Sequence, residues 1–190
     1  MKLVMLGGTF NPPHLGHLKI AEAVKNHFGY HKLVLVPSYT PPHKDITEDV
    51  SFHQRMKMVE LSVQGWEDVI VSPCEYERKG ISYSVDTIRY LKETYKPEGN
   101  PGLIIGDDLV PGFSRWRKVD ELVTEADIIV CHRGKPEDLV FPWPHRYFQN
   151  PIFEASSTDI REGIRKGEDV SRLLPEGVLS YIREEGLYGS

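Results

Sequence analysis

The chain has 190 residues, 39% of them hydrophobic and 27% charged, with a formal net charge of −5 at pH 7. That size suits one domain, whose core at this length buries roughly 70% of the surface an unfolded chain exposes without a disulfide or metal staple. Two cysteines, Cys74 and Cys131, exclude a disulfide framework or a C-x-x-C metal or redox motif, and the acidic balance disfavours a broad nucleic-acid-binding surface. The opening MKLVMLGG has neither the length nor the cleavage site of a secretion signal, and no apolar run approaches the ~20 residues that span a bilayer. A cytoplasmic protein without membrane attachment is therefore expected.

In chain order, Lys2 to Leu6 reads as a short buried strand. Leu15, Leu18, Ala21, Val24 and Phe28 then recur every three or four residues and predict a helix ending near Gly29. Lys32 to Val36 is a second strand stopped by Pro37, followed by a long proline-rich loop, PSYTPPHKDITED. A helix is predicted from Phe52 to Val63, capped by Ser51, with Met56, Val59 and Val63 on its apolar side. Val69 to Val71 is a third strand. Ser82 to Tyr95 is a helix opened by Ser84, with Val85, Ile88 and Leu91 inward.

Gly102 to Ile105 and Asp127 to Val130 are two further buried strands, the first running directly into Gly106-Asp107-Asp108. Gly134 to Asn150, rich in proline and polar residues, reads as an excursion or a loop under the final helices. A helix opened by Ser156 and Ser157 and a last one over Glu176 to Glu185 close the chain. Short apolar strands alternating with helices argue an α/β fold of Rossmann-like, doubly wound type, with a parallel sheet covered on both faces. Residues 1–190 are read as a single domain, its small C-terminal helical part covering about 157–190.

Ligands of such sheets lie at the carboxyl ends of the strands. There GTFNPPHLGH (Gly8 to His17) follows the first strand. It is not a Walker loop, because no Gly-Lys-Ser/Thr follows the glycines, nor a three-glycine dinucleotide fingerprint. His14 and His17, three apart, share a helix face at the end where the macrodipole favours anions. Taken alone, the pair leaves three readings open: phosphate donors, metal ligands or two satisfied histidines. The absence of a third ligand type nearby in sequence lowers the metal reading.

The second signal is EASSTDIR (Glu154 to Arg161). Ser156 and Asp159 have capping-box spacing, which by itself implies only a capped helix. Arg161 opposes the helix dipole there, a placement that makes sense if an anion sits at the same terminus.

With these motifs, the sequence resembles the nucleotidyltransferases marked by G-x-F-x-P-x-H-x-G-H and I-S-S-T-x-x-R, and most closely the bacterial nicotinate mononucleotide adenylyltransferases. PPHK (Pro41 to Lys44), SYSVDTI (Ser82 to Ile88), IIGDD with a following FSRW (Ile104 to Trp116), and LLPEGVLSYIREEGLY (Leu173 to Tyr188) extend the resemblance in order over essentially the whole chain. It implies transfer of an adenylyl group from ATP to nicotinate mononucleotide, with deamido-NAD and pyrophosphate as products and magnesium carried mainly on the ATP phosphates rather than in a protein cage. The nearest alternative is an adenylyltransferase of the same fold acting on nicotinamide mononucleotide or another phosphorylated substrate.

The resemblance further implies that His14 and His17 are catalytic. Gly8, Thr9, Phe10, Gly106, Asp108, Ser157, Thr158 and Arg161 would bind ATP. His43, Lys44, Ser84, Thr87 and Trp116 would bind the mononucleotide, Trp116 by stacking on its ring. No protein metal ligand, nucleic acid or membrane partner is implied, and self-association is left open. Three residues depart from the family pattern: Asn11 stands where aspartate is common, Ser84 where threonine is common, and Arg117 where an aromatic often follows the tryptophan.

Overall fold

The structure is a computed structural model describing residues 1–40, 50–132, 136–150 and 156–190. Six parallel strands form one sheet in the order β3-β2-β1-β4-β5-β6. They are β1 (Leu3–Gly8), β2 (Lys32–Pro37), β3 (Val69–Val71), β4 (Gly102–Gly106), β5 (Asp127–His132) and β6 (Arg146–Gln149). The helices are α1 (Leu15–His27), α2 (Phe52–Ser62), α3 (Cys74–Arg78), α4 (Ser84–Tyr95), α5 (Val119–Glu125), α6 (Ser157–Arg165) and α7 (Glu176–Glu184). Strand order reverses between β1 and β4, so the ligand crevice of this topology opens at the carboxyl ends of those two strands.

Both faces of the sheet are buried, which is why its central strands read as unbroken apolar runs. Leu3, Met5, Leu103, Ile105, Ile128 and Val130 face one layer, with Val85, Ile88 and Leu91 of α4 and Leu122 of α5. Val4, Leu6, Ile104 and Ile129 face the other, against Leu18, Ala21 and Val24 of α1. A third cluster joins α6 and α7 to Val50 and Met58 through Ile160, Val178 and Ile182. No helix among the described residues is long and apolar enough to cross a membrane.

Several sequence expectations are corrected here. The apolar side of α2 is not Met56, Val59 and Val63 alone: its buried helical residues are Phe52, Arg55, Met58, Val59 and Ser62, while Met56 is half-buried. The reason is that α2 has two partners, Val59 packing in the α1 layer and Met58 in the C-terminal cluster. Of the stretch 134–150, read as an excursion or a loop under the final helices, residues 136–150 are described, and they extend the sheet beside β5. They contain β6, and Phe141 and Trp143 pack around Phe113, with ring centroids 4.9 and 5.2 Å away. The short α3, α5 and the 3₁₀ turns of Asp107–Arg115, which hold Pro111, carry too little periodicity to be read from sequence.

Met58→Ala is expected to destabilise the protein by about 2–5 kcal/mol, because it empties the junction of α2 with the C-terminal cluster. Met56→Ala, on the same helix, should cost less than about 1 kcal/mol. Denaturant midpoints of the two variants check the assignment, and equal costs would refute it.

Candidate active site

β1 runs without a break into residues 9–14, which form neither helix nor ladder. Phe10 has φ 49°, uncommon for a side-chain-bearing residue, and the Asn11–Pro12 bond is cis. Carbonyls in such a segment need outside donors. Ser38 N–H donates to Gly8 O at 2.8 Å. Arg55, fully buried on α2, donates from Nη1 to Thr9 O and from Nη2 to Ser38 O, each at 2.7 Å. From α6, Arg161 Nη1 donates to Asn11 O at 2.7 Å and Ser157 Oγ to Pro12 O at 2.9 Å.

His14 opens α1 as its N-cap, and His17 is the third residue of the helix. The two imidazoles make a capping box. His14 Nδ1 accepts from Gly16 N–H at 3.1 Å, and His17 Nδ1 accepts from His14 N–H at 3.2 Å. Because both Nδ1 atoms accept, each neutral ring carries its proton on Nε2, as assigned from these bonds. The rings lie 3.7 Å apart, centroid to centroid, and Phe10 meets His17 edge-on at 5.2 Å. Burial lowers the His14 pKa from 6.5 to about 4, so it is a neutral donor at neutral pH. In this tautomer the Nδ1 lone pair of each ring is engaged by a backbone N–H.

Ser156 caps α6 reciprocally with Asp159, confirming the spacing read from sequence. Those hydrogen bonds hold the Asp159 carboxyl below its ordinary range. Arg161 lies one residue beyond the first turn rather than on it, and its Nη2 donates to Thr158 Oγ1 at 3.2 Å. Ser157, Thr158 and Arg161 are thereby brought beside the Gly8–His14 segment. Gly106 and Asp108 stand at the other lip of the crevice, at the end of β4. Asp108 folds back over Gly106, in the space that a side chain at 106 would need.

The expected mononucleotide residues divide. His43 and Lys44, with Pro41 and Pro42, lie outside the described residues, but the chain leading up to them is held. Tyr39 N–H and Thr40 N–H both donate to Ser82 Oγ, two residues before Ser84. Arg117 lies over the Tyr83 ring at 4.6 Å, so the segment after Trp116 meets the start of α4. Trp116 is half-buried, its ring 4.8 Å from Phe113. Thr87 is not brought to this group. It is fully buried, its hydroxyl donating to Glu75 Oε1 at 2.7 Å and accepting from Arg78 Nη2 at 3.2 Å. The helical period turns residue 87 inward with Ile88 and Leu91.

Two features escape the sequence reading. Arg55 shares the buried face of α2 with Phe52 and Val59, and a charge in that stripe is the signal that could have found it. Asp107 and His132 pair at 3.1 Å between the ends of β4 and β5, beside a groove of about 450 Å³ that also touches Val110, Leu139 and Trp143. No local spacing announces that pair.

The His14 shift has a defined consequence for stability. Its folded pKa lies below its unfolded value, so the unfolded chain binds more protons as pH falls from 6.5 towards 4. Stability from this group is full above 6.5 and declines through that window, by about 3 kcal/mol in total. Replacing His14 with Asn, which can still cap a helix, should flatten this part of the stability–pH profile, as followed by chemical denaturation. An unchanged slope would refute the assignment.

A cytidylyltransferase-like family model matches residues 5–163. The chain is 37% identical over 188 residues to a probable nicotinate-nucleotide adenylyltransferase of Borrelia garinii subsp. bavariensis, covering 99% of this chain and 95% of that protein. A Streptococcus pneumoniae protein of the same description is 37% identical over 184 residues, covering 97% and 87%. Among solved structures, a Plasmodium falciparum nicotinic acid mononucleotide adenylyltransferase complexed with NaAD has a TM-score of 0.78 at 21% identity, over 98% of this chain and 97% of that one. A putative nicotinate-nucleotide adenylyltransferase of Vibrio parahaemolyticus has a TM-score of 0.75 at 23% identity, over 100% and 97%. The structures share the fold, and the two bacterial relatives are similar over nearly their whole length. The chain belongs to the cytidylyltransferase-like family and, within it, to the nicotinate-nucleotide adenylyltransferases.

Proposed function

We propose that the protein, acting as one unit over residues 1–190, transfers the adenylyl group of ATP to nicotinate mononucleotide. A phosphate oxygen of the mononucleotide attacks the α-phosphorus. The bond from that phosphorus to the bridging oxygen of the β-phosphate breaks, and deamido-NAD and pyrophosphate leave. The nucleophile is already an anion, so the chain needs no general base, and positioning with charge stabilisation carries the reaction.

The observation that carries this reading is the pair of Nε2–H donors of His14 and His17 at the N-terminus of a 13-residue helix, with the first turn of α6 alongside. Donors fixed before the reaction gain most where charge grows in the transition state, here on the leaving pyrophosphate. Ser157, Thr158 and Arg161 would hold the β- and γ-phosphates, with Gly8, Thr9 and Phe10 against the triphosphate and Gly106 and Asp108 towards the nucleoside. Magnesium suits this donor set as a passenger of the phosphates. The loop offers imidazole N–H donors, while magnesium prefers oxygen ligands and retains water. When bound, it neutralises phosphate charge.

For the second substrate, Trp116 offers a half-buried ring for stacking, and α4 begins without a side-chain cap, leaving first-turn amides near Ser84 to favour a carboxylate over a carboxamide. His43 and Lys44 would reach the substrate phosphate. Pyrophosphate release measured with ATP and either nicotinate or nicotinamide mononucleotide tests the assignment: a clear preference for the acid is expected, and a preference for the amide would overturn it.

His17→Ala should reduce turnover at least a hundredfold while costing about 1 kcal/mol of stability, since it removes one donor and half a capping box. A near-normal rate would make the motif structural. Trp116→Ala should raise KM for the mononucleotide roughly tenfold with little change for ATP. Equal effects on both substrates would remove the stacking role.

A further inference from the structure

Asn11, the departure inside the first motif, is held from the far end of the chain. Tyr188 Oη donates to Asn11 Oδ1 at 2.6 Å across 177 positions, and both residues are buried, at 4% and 6% exposure. Tyr188 has φ 61°, a left-handed conformation that a side-chain-bearing residue keeps only where its surroundings enforce it. Burial raises the pKa of its hydroxyl, against the opposing pull of Arg161, Arg55 and Arg165. The phenol thus stays protonated, and the direction of the bond is fixed. Arg161 and Ser157 hold the Asn11 and Pro12 carbonyls, so side-chain donors from α6 and the C-terminal turn clamp the chain just before His14.

We propose that Tyr188 is a positioning residue for adenylyl transfer: its hydroxyl fixes Asn11 and, through Asn11, the register of the loop that aims His14 and His17 at the phosphates. The inference rests on the role given to the two histidines above. Tyr188 acts through Asn11, to which its hydroxyl donates. Its ring also packs with the C-terminal cluster, so the hydroxyl alone separates positioning from packing. Donors displaced by a fraction of an ångström lose most at the transition state, where distance matters most, and least in ground-state binding.

Tyr188→Phe keeps the packing and removes the bond. It should lower kcat roughly tenfold or more, leave KM for both substrates within about twofold, and lower the denaturation midpoint only slightly. Asn11→Leu should match that loss and Asn11→Asp, which keeps an oxygen acceptor, should fall less. The double variant Tyr188→Phe/Asn11→Leu should be no slower than the slower single one. An unchanged kcat in Tyr188→Phe, a loss seen only as raised KM, or multiplicative losses in the double variant would each overturn the proposal. If the wild-type protein does not turn over the acid mononucleotide, it is the functional reading that fails. The imidazole NMR signals of His14 and His17 then decide positioning alone: shifted signals in Tyr188→Phe support it, and unmoved signals overturn it.

Discussion

A segment that leaves its strand without entering a helix cannot satisfy its own carbonyls, and this constraint organises the molecule. From Gly8 to Pro12 the oxygens of residues 8, 9, 11 and 12 are met by the Ser38 amide, Arg55, Arg161 and Ser157. The donors come from beyond β2, from α2 and from α6, so all three must dock before the loop has one conformation. Arg55 carries the heaviest share. Burial lowers its pKa from 12.5 to about 10, which leaves it cationic at neutral pH. An arginine with no exposure is tolerated because its planar fork closes on two carbonyls at once, which a lysine could not do.

The same arrangement reconciles an acidic protein with anionic substrates. A net charge of −5 acts at long range and is screened by salt, whereas in the proposed site a helix terminus, imidazole N–H groups and a guanidinium would act at contact distance. Keeping His14 neutral also avoids two like charges in rings 3.7 Å apart. The donor capacity of neutral His14 comes from its tautomer and needs no added charge.

What could be read from the sequence divides by how local the cause is. β1, β2, β4 and β5 were legible because burial on both faces writes a continuous apolar run. β6, whose RYFQ is only half-buried at a sheet edge, writes no such run. Ser51, Ser156 and Asp159 were legible as caps because capping is decided within four residues. The His14–His17 spacing was legible as a shared face at the start of a helix, although the sequence did not reveal that the two rings cap the helix themselves. Arg55 on Thr9 and Tyr188 on Asn11 are settled by tertiary packing: the charge in the apolar stripe of α2 marks Arg55 but not its partner, and nothing local marks the Tyr188 contact. Thr87 shows the opposite failure: a motif suggested a ligand contact, while the helical period turned the residue into the core.

The contacts that complete the loop close very long stretches of chain: 145 residues for Ser157 to Pro12, 150 for Arg161 to Asn11 and 177 for Tyr188 to Asn11. The entropy of such closures is lost before the contacts can repay it, and non-local pairing forms slowly. The sheet and its covering helices therefore have reason to assemble before the segment from Gly8 to His14 settles. A refolding chain would then recover its ellipticity ahead of its catalytic competence, and the interval between the two would measure the docking of α6, α7 and the C-terminal turn.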